Sequence, residues 1–304
     1  MSQPAIRPPS AFSAERRQHL GASFDSLAEH YTSGRPTYPA DFVEKLLQPL
    51  LARTPRPETV LEVGAGTGQA TGLLARHFAR VTAIEPGAKL SQEAAERYSS
   101  DRRVSVHGAR FEDWVTTRQY DCVFSASAFH WADPSVSYEK AAAFLKPTGI
   151  LAFISYTDVI GDESWEETAE GIREIYRTHA PNLTPPFGTR TFDDLTSTLR
   201  QPEATIAQAL EYVEFGTARA VEVLPMKHLF ASPQVLIERQ DRAFTSDSIV
   251  AALASYGGFR GLDAETARRL AMGIRTYVED ERDNHITRPF ALIGLTAATR
   301  RTSV

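Results

Sequence analysis

The sequence predicts an α/β protein built on a doubly wound sheet, and three observations carry that expectation. Between Thr59 and Ser155, short apolar runs alternate with amphipathic stretches, the rhythm of parallel strands joined through helices. A glycine-rich turn directly follows the first run, where such sheets bind ligands. The chain has 304 residues, 42% hydrophobic and 23% charged, enough to bury a large core.

The elements follow in order. After a Pro-rich start, Phe24, Ala28 and Tyr31 recur at i, i+4 and i+7, one face of a helix that should stop near Gly34 in SGRPTYP. A second helix is expected over 40–51, then a linker, TPRPE. Strands are expected at 59–63, 80–84, 103–107, 120–125 and 149–155, with helices at 68–78, 87–98 and 134–145. KPTG at 146–149 reads as a helix stop and a turn. Residues 157–245 break the rhythm with polar, Pro-containing sequence around helices at 163–178 and 191–200, and read as an inserted cap. The tail returns to α/β character, with helices at 246–254 and 263–281 and a last strand in PFALIGLTAAT. The resulting division is 1–56, an N-terminal helical lid; 57–156, the ligand-binding core; 157–245, a substrate cap; and 246–304, the helices and last strand completing the core.

Composition narrows the function. A formal net charge of -5 gives no overall attraction for nucleic acid. One cysteine, Cys122, forms no intramolecular disulfide and builds no paired-cysteine zinc site. The histidines at 19, 30, 77, 107, 130, 179, 228 and 285 form no metal-ligand motif, so no metal is expected. MSQPAIRPPSAF lacks the apolar stretch of a secretory signal, and no run approaches the roughly 20 apolar residues of a membrane span. The expectation is a soluble cytoplasmic protein that acts on a small molecule, without a membrane or nucleic-acid partner.

The informative stretch runs from Val60 to Gln69, VLEVGAGTGQ. Glycines belong where the backbone turns tightly and a ligand approaches closely. A dinucleotide fingerprint, G-x-G-x-x-G, requires glycine where Gln69 stands; the spacing here is G-x-G-x-G, on Gly64, Gly66 and Gly68, preceded by Glu62. Glu85 ends the second expected strand, 21 residues past Gly64, where a carboxylate can bond both hydroxyls of a ribose. The fourth strand ends in SASAFHWADP, so Ser125 and His130 should border a site outside the carboxyl ends of the strands. His130 is a candidate base or substrate partner, with a packing role as the alternative. Asp133 before Pro134 reads as a helix N-cap, Trp114 as core and Asp113 as a turn residue.

Glu62 to Gly68, E-x-G-x-G-x-G after a first strand, resembles motif I of the class I S-adenosylmethionine-dependent methyltransferases. FHW at 129–131, FDSLAEHYTSGRPTYP at 24–39 and the last helices and strand resemble the methyltransferase type 11 group, which includes trans-aconitate methyltransferase-like small-molecule enzymes. The resemblance covers roughly 24–156 and 244–299. It implies a seven-stranded Rossmann-like sheet with the last strand antiparallel. It also implies a glycine loop around the methionine part of the cofactor, Phe111 or Glu112 of GARFEDW at the adenine, and Tyr31 and Arg35 near the methionine end. The implied reaction is direct displacement, needing no metal, with His130 as the base wherever the acceptor must lose a proton. Two alternatives stand beside it. A nicotinamide-dependent oxidoreductase is disfavoured by Gln69 and by the lack of a lysine four residues after any tyrosine. A non-catalytic S-adenosylmethionine-binding protein is the other. No G-x-S-x-G elbow or P-loop is present.

Overall fold

A computed structural model describes residues 37–199, 226–231 and 233–300. The strands are β1 (Thr59–Val63), β2 (Arg80–Ile84), β3 (Val104–His107), β4 (Tyr120–Ala126), β5 (Leu145–Asp158), β6 (Gln234–Phe244) and β7 (Ile286–Ala298). The helices are α1 (Ala40–Leu51), α2 (Thr71–Leu74), α3 (Ala88–Arg97), α4 (Pro134–Phe144), α5 (Glu163–His179), α6 (Phe192–Leu199), α7 (Met226–Leu229), α8 (Ser246–Ala254), α9 (Gly257–Arg260) and α10 (Ala264–Glu281). The seven strands form one sheet in the order β3-β2-β1-β4-β5-β7-β6. β1 to β5 run parallel, and β7 is antiparallel to both of its neighbours, as expected for the last strand.

Successive strand residues bury on opposite faces, which explains the unbroken apolar runs. Leu61, Val123 and Phe153 face α4 and α6, through Tyr138, Ala141 and Leu195. Val60, Phe124 and Ile154 face α1, through Phe42, Leu46 and Leu50, and α2, through Leu74. A third cluster joins α5, α8 and α10 to the end of the sheet through Ile172, Leu253, Ile274 and Phe290. Helix starts are fixed locally. The Asp133, Asp162 and Asp263 carboxylates accept from backbone N–H groups of α4, α5 and α10, and Thr245 with Ser248 forms a capping box on α8.

Several expectations are corrected. The sequence locates no sixth strand, yet 234–244, assigned to the cap, is β6, paired with β7 along its whole length. It is an edge strand exposed on one side, and QVLIERQDRAF therefore shows neither an apolar run nor clean alternation. Residues 40–51, assigned to the lid, pack beneath the sheet because Phe42, Val43, Leu46, Leu47 and Leu50 make one apolar stripe. The helix expected over 68–78 shrinks to the four residues of α2. KPTG lies within β5 as an irregularity: the pairing passes from Tyr120–Leu145 to Cys122–Ile150, and Pro147, without an N–H, falls in the gap. The helix expected near 24–34, with Tyr31 and Arg35, lies outside the described residues.

Candidate cofactor site

The site is built at the carboxyl ends of β1, β2 and β4. β1 leads into a loop in which Gly64, Gly66 and Gly68 hold φ of 72°, 57° and 84°, the left-handed region that side chains rarely adopt. Two of these glycines are also required by close neighbours. A Cβ on Gly64 would sit 2.4 Å from the Ala128 Cβ, and one on Gly68 would sit 2.6 Å from the Tyr98 ring. Tyr98, at the end of α3, donates its O–H to the Gly68 carbonyl at 2.7 Å. Gly64 and Ala65 N–H both donate to the Ile84 carbonyl, at 2.9 and 3.1 Å, which ties the loop to β2.

Glu85 follows β2 directly. Its Oε2 accepts from Gly66 N–H and its Oε1 from Gly87 N–H, each at 2.9 Å. One carboxylate thus holds the middle of the glycine loop against the approach to α3. It stands at the end of β2, where a carboxylate can bond a vicinal diol.

Three of the candidate site residues have buried side chains with partners inside the protein. Glu62 is 1% exposed, and its Oε2 accepts the Thr71 hydroxyl at 2.6 Å. Burial, with the nearby Glu85 charge adding to it, pushes the Glu62 carboxyl up to about 8, against the Thr71 bond. Glu62 therefore carries a proton at neutral pH and joins β1 to the start of α2. Ser125 is buried and donates its hydroxyl to the Val63 carbonyl at 2.8 Å, locking β4 to β1. Phe111 is 3% exposed and packs on Phe129 and Phe144, at 5.6 and 6.1 Å between ring centroids. Its ring packs in the core. Glu112 beside it is occupied as well: its Oε1 accepts from Asp133 N–H at 2.6 Å and lies 3.5 Å from Arg110 Nη2. Asp133 caps α4 as expected, accepting from Ser135 N–H at 2.9 Å. Trp114 packs against the core and Asp113 is exposed, also as expected.

After β4 the chain turns sharply. Ser127 holds φ 53°, a conformation that costs a non-glycine residue of order 1–3 kcal/mol. Ala128 touches Gly64, and Phe129–Trp131 make one turn of 3-10 helix in which half-buried His130 lies tilted on Trp131, 4.8 Å between centroids. The structure therefore brings His130 within two residues of the loop contact at Ala128. Tyr31 and Arg35 lie outside the described residues. Sequence reasoning missed Tyr98, Thr71 and Ser127. The only local trace of Tyr98 is Gly68 and Gly72, four residues apart, both of which leave room for its ring.

A fold of this order with a glycine loop after β1 and an acid after β2 has the layout in which such sheets bind nucleotide cofactors, and the chain is similar to known proteins. The family model described as a methyltransferase domain matches residues 61–153. An uncharacterized methyltransferase of Mycobacterium tuberculosis is 32% identical over 138 residues, 45% of this chain and 54% of the relative. A probable S-adenosylmethionine-dependent methyltransferase of Saccharomyces cerevisiae is 25% identical over 146 residues, 46% of this chain and 48% of the relative. The solved structure of a candidate type II methyltransferase from Anaeromyxobacter dehalogenans shares the fold, with a TM-score of 0.51 at 21% identity over 87% of this chain and 96% of its own. Residues 61–153 are thus similar to a methyltransferase domain, and the relatives matched are methyltransferases. The chain spans about half the length of the curated relatives it matches.

Proposed function

We propose that this protein transfers a methyl group from S-adenosylmethionine to a small-molecule acceptor by direct displacement, releasing S-adenosylhomocysteine. The observation that carries the reading is the Glu85 carboxylate, which follows β2 directly and bridges Gly66 and Gly87 beside the glycine loop, the position from which a carboxylate meets a ribose diol. The positive φ of Gly66 presents bare backbone beside it, as a ligand lying on the loop requires.

S-adenosylmethionine supplies, when bound, a methyl already activated by its cationic sulfonium. The protein has to orient the partners and exclude water, and orientation alone supplies about 7 to 11 kcal/mol of barrier lowering. Glu85 fixes the nucleoside end and the glycine loop wraps the methionine part. His130, on the turn after β4, is the group to take a proton from an acceptor hydroxyl or amine, and for an acceptor already ionised it orients the substrate. Tyr31 and Arg35, in the 24–39 stretch, serve the methionine end in this reading. α5, α6 and the loop between them form the acceptor side.

Calorimetric titration with S-adenosylhomocysteine, run beside NAD(H) and NADP(H), tests the cofactor. Micromolar binding of the first and none of the others is expected. Nicotinamide binding without S-adenosylhomocysteine binding would overturn the reading. Formation of S-adenosylhomocysteine from S-adenosylmethionine across a panel of small carboxylic acids, amines and phenols then identifies the acceptor class.

A further inference from the structure

Ser127, held in the left-handed region directly before the residue that abuts Gly64, has an unexpected partner. Tyr38 donates its O–H to the Ser127 hydroxyl oxygen at 3.1 Å, across 89 residues of sequence. Ser127 N–H in turn donates to the Ile154 carbonyl at 2.8 Å, so this strained turn is pinned to β5 on one side and to Tyr38 on the other. The Tyr38 ring lies stacked on Tyr156 of β5, with centroids 5.7 Å apart and planes at 24°. The carbonyl of Thr37 accepts two bonds, from the Tyr156 hydroxyl at 2.8 Å and from Arg242 Nη2 at 2.7 Å. The Arg242 guanidinium also lies 5.1 Å from the centre of the Tyr156 ring. Arg242 belongs to β6, the strand that closes the far edge of the sheet, and burial holds its pKa below the usual arginine range. An edge-strand arginine normally points to water. This one is drawn over the sheet end to hold a main-chain carbonyl.

These contacts form a continuous path: the glycine loop touches Ala128, Ser127 precedes it, Tyr38 bonds Ser127, and Tyr156 with Arg242 holds Thr37. We propose that Tyr38, Tyr156 and Arg242 form a latch that fixes the chain at Thr37 and Tyr38 against the ends of β4 and β5, making Tyr38 and Arg242 positioning residues for cofactor binding at the glycine loop. The proposal rests on the methyltransferase reading for the identity of the cofactor. Neither residue needs to touch the ligand. They set the turn that packs on Gly64.

The test compares wild type with Arg242→Gln, Arg242→Lys and Tyr38→Phe, using S-adenosylhomocysteine as the probe. Calorimetry reads affinity, thermal unfolding of the ligand-free protein reads stability, and chymotrypsin with mass analysis reads nicking within residues 1–38. Arg242→Gln is expected to weaken binding about tenfold, the equivalent of one hydrogen bond to a charged donor. It should also speed nicking within 1–38, while the unfolding temperature moves by no more than about 2 °C. Arg242→Lys keeps a donor for Thr37 and should recover most of the affinity, and Tyr38→Phe should weaken binding by a smaller factor, about threefold. Wild-type affinity and nicking in a folded Arg242→Gln protein would overturn the latch, as would an affinity loss accompanied by an equal loss of stability that Arg242→Lys does not rescue. If wild type itself fails to bind the probe, the methyltransferase reading fails, and the nicking comparison alone decides whether Thr37 and Tyr38 are latched.

Discussion

Replacing Glu85 tests the cofactor site most directly. Its two oxygens each accept one backbone N–H at 2.9 Å, so the side chain already organises the loop in the free protein. Hydrogen bonds to a charged group contribute about 1.5 to 3 kcal/mol each. Glu85→Ala therefore removes two bonds that shape the loop and, on the proposed reading, two more that would form with the ribose. Counting only one ribose bond at the lower bound gives about 1.5 kcal/mol, or roughly tenfold in affinity; counting both gives about 3 to 6 kcal/mol, reduced in practice by non-additivity. Glu85→Gln is the sharper variant. Its carbonyl oxygen can keep one N–H, but its amide then turns a donor toward the other, so it should bind S-adenosylhomocysteine nearly as poorly as Glu85→Ala at similar size. Calorimetry measures the affinity and circular dichroism checks the fold. A folded Glu85→Ala protein within twofold of wild-type affinity would refute the argument and leave Glu85 as a structural clasp between two turns.

Glu62 sets a pH dependence: its folded pKa stands near 8 against an ordinary value of 4.5, so the folded state binds the extra proton. Its contribution to stability is full below about pH 4.5 and is lost as pH rises toward 8, so Glu62→Gln, which mimics the protonated form, should flatten that fall in denaturant titrations run across the window. Gly68→Ala places a Cβ 2.6 Å from Tyr98 at φ 84°, and chemical denaturation should register a loss of more than about 1 kcal/mol with weakened ligand binding; an unperturbed variant would mean that the loop tolerates rearrangement. His130→Gln should cut turnover about 100-fold if His130 is the base, with cofactor affinity nearly intact, whereas a raised KM at constant kcat would assign it to substrate orientation. Wild-type kinetics would leave a packing histidine.

What the sequence made legible follows from how local each signal is. β1, β2, β4 and β5 announce themselves because both faces are buried over most of their length, which makes most residues of each run apolar. β6 carries no such signal, since its outer face meets water and its partner, β7, lies more than forty residues downstream. Asp133 was readable because an N-cap and a following proline act within three residues. The glycines and Glu85 were readable because a tight turn and a strand end dictate residue type at short spacing. Phe111 and Glu62 sit at motif positions, but a motif gives position and not direction; their side chains turn inward, to Phe129 and to Thr71. Tyr38, Tyr98 and Arg242 were invisible because their partners lie 89, 30 and 205 residues away, and no local pattern encodes a contact of that span.

The α5–α6 end of the sheet is organised by a different kind of contact. Arg288 of β7 is 1% exposed, with Nη2 donating to Asp158 at the end of β5 and to the Pro186 carbonyl at 2.7 Å. Tyr256 adds its hydroxyl to the second Asp158 oxygen at 3.3 Å. Arg288 Nε and Nη1 have no hydrogen-bond acceptor among the described residues, and the faces of Trp165, Phe187, Tyr256 and Phe290 surround the guanidinium at 5.8, 5.1, 5.8 and 5.0 Å. Ring faces are the compensation available to a buried cation whose remaining donors lack oxygen partners. Two apolar residues of equal volume would hold these elements together about as well, or better. They would not specify where the elements meet, because an apolar contact tolerates sliding, whereas one guanidinium nitrogen that must reach both Asp158 and Pro186 does not. Gly188 confirms how close that meeting is, since a Cβ there would come within 2.5 Å of the Asp158 carbonyl oxygen. The buried pair therefore fixes the loop between α5 and α6 at the carboxyl edge of the sheet, so side chains of that loop can vary without moving the end of β5 to which it is tied.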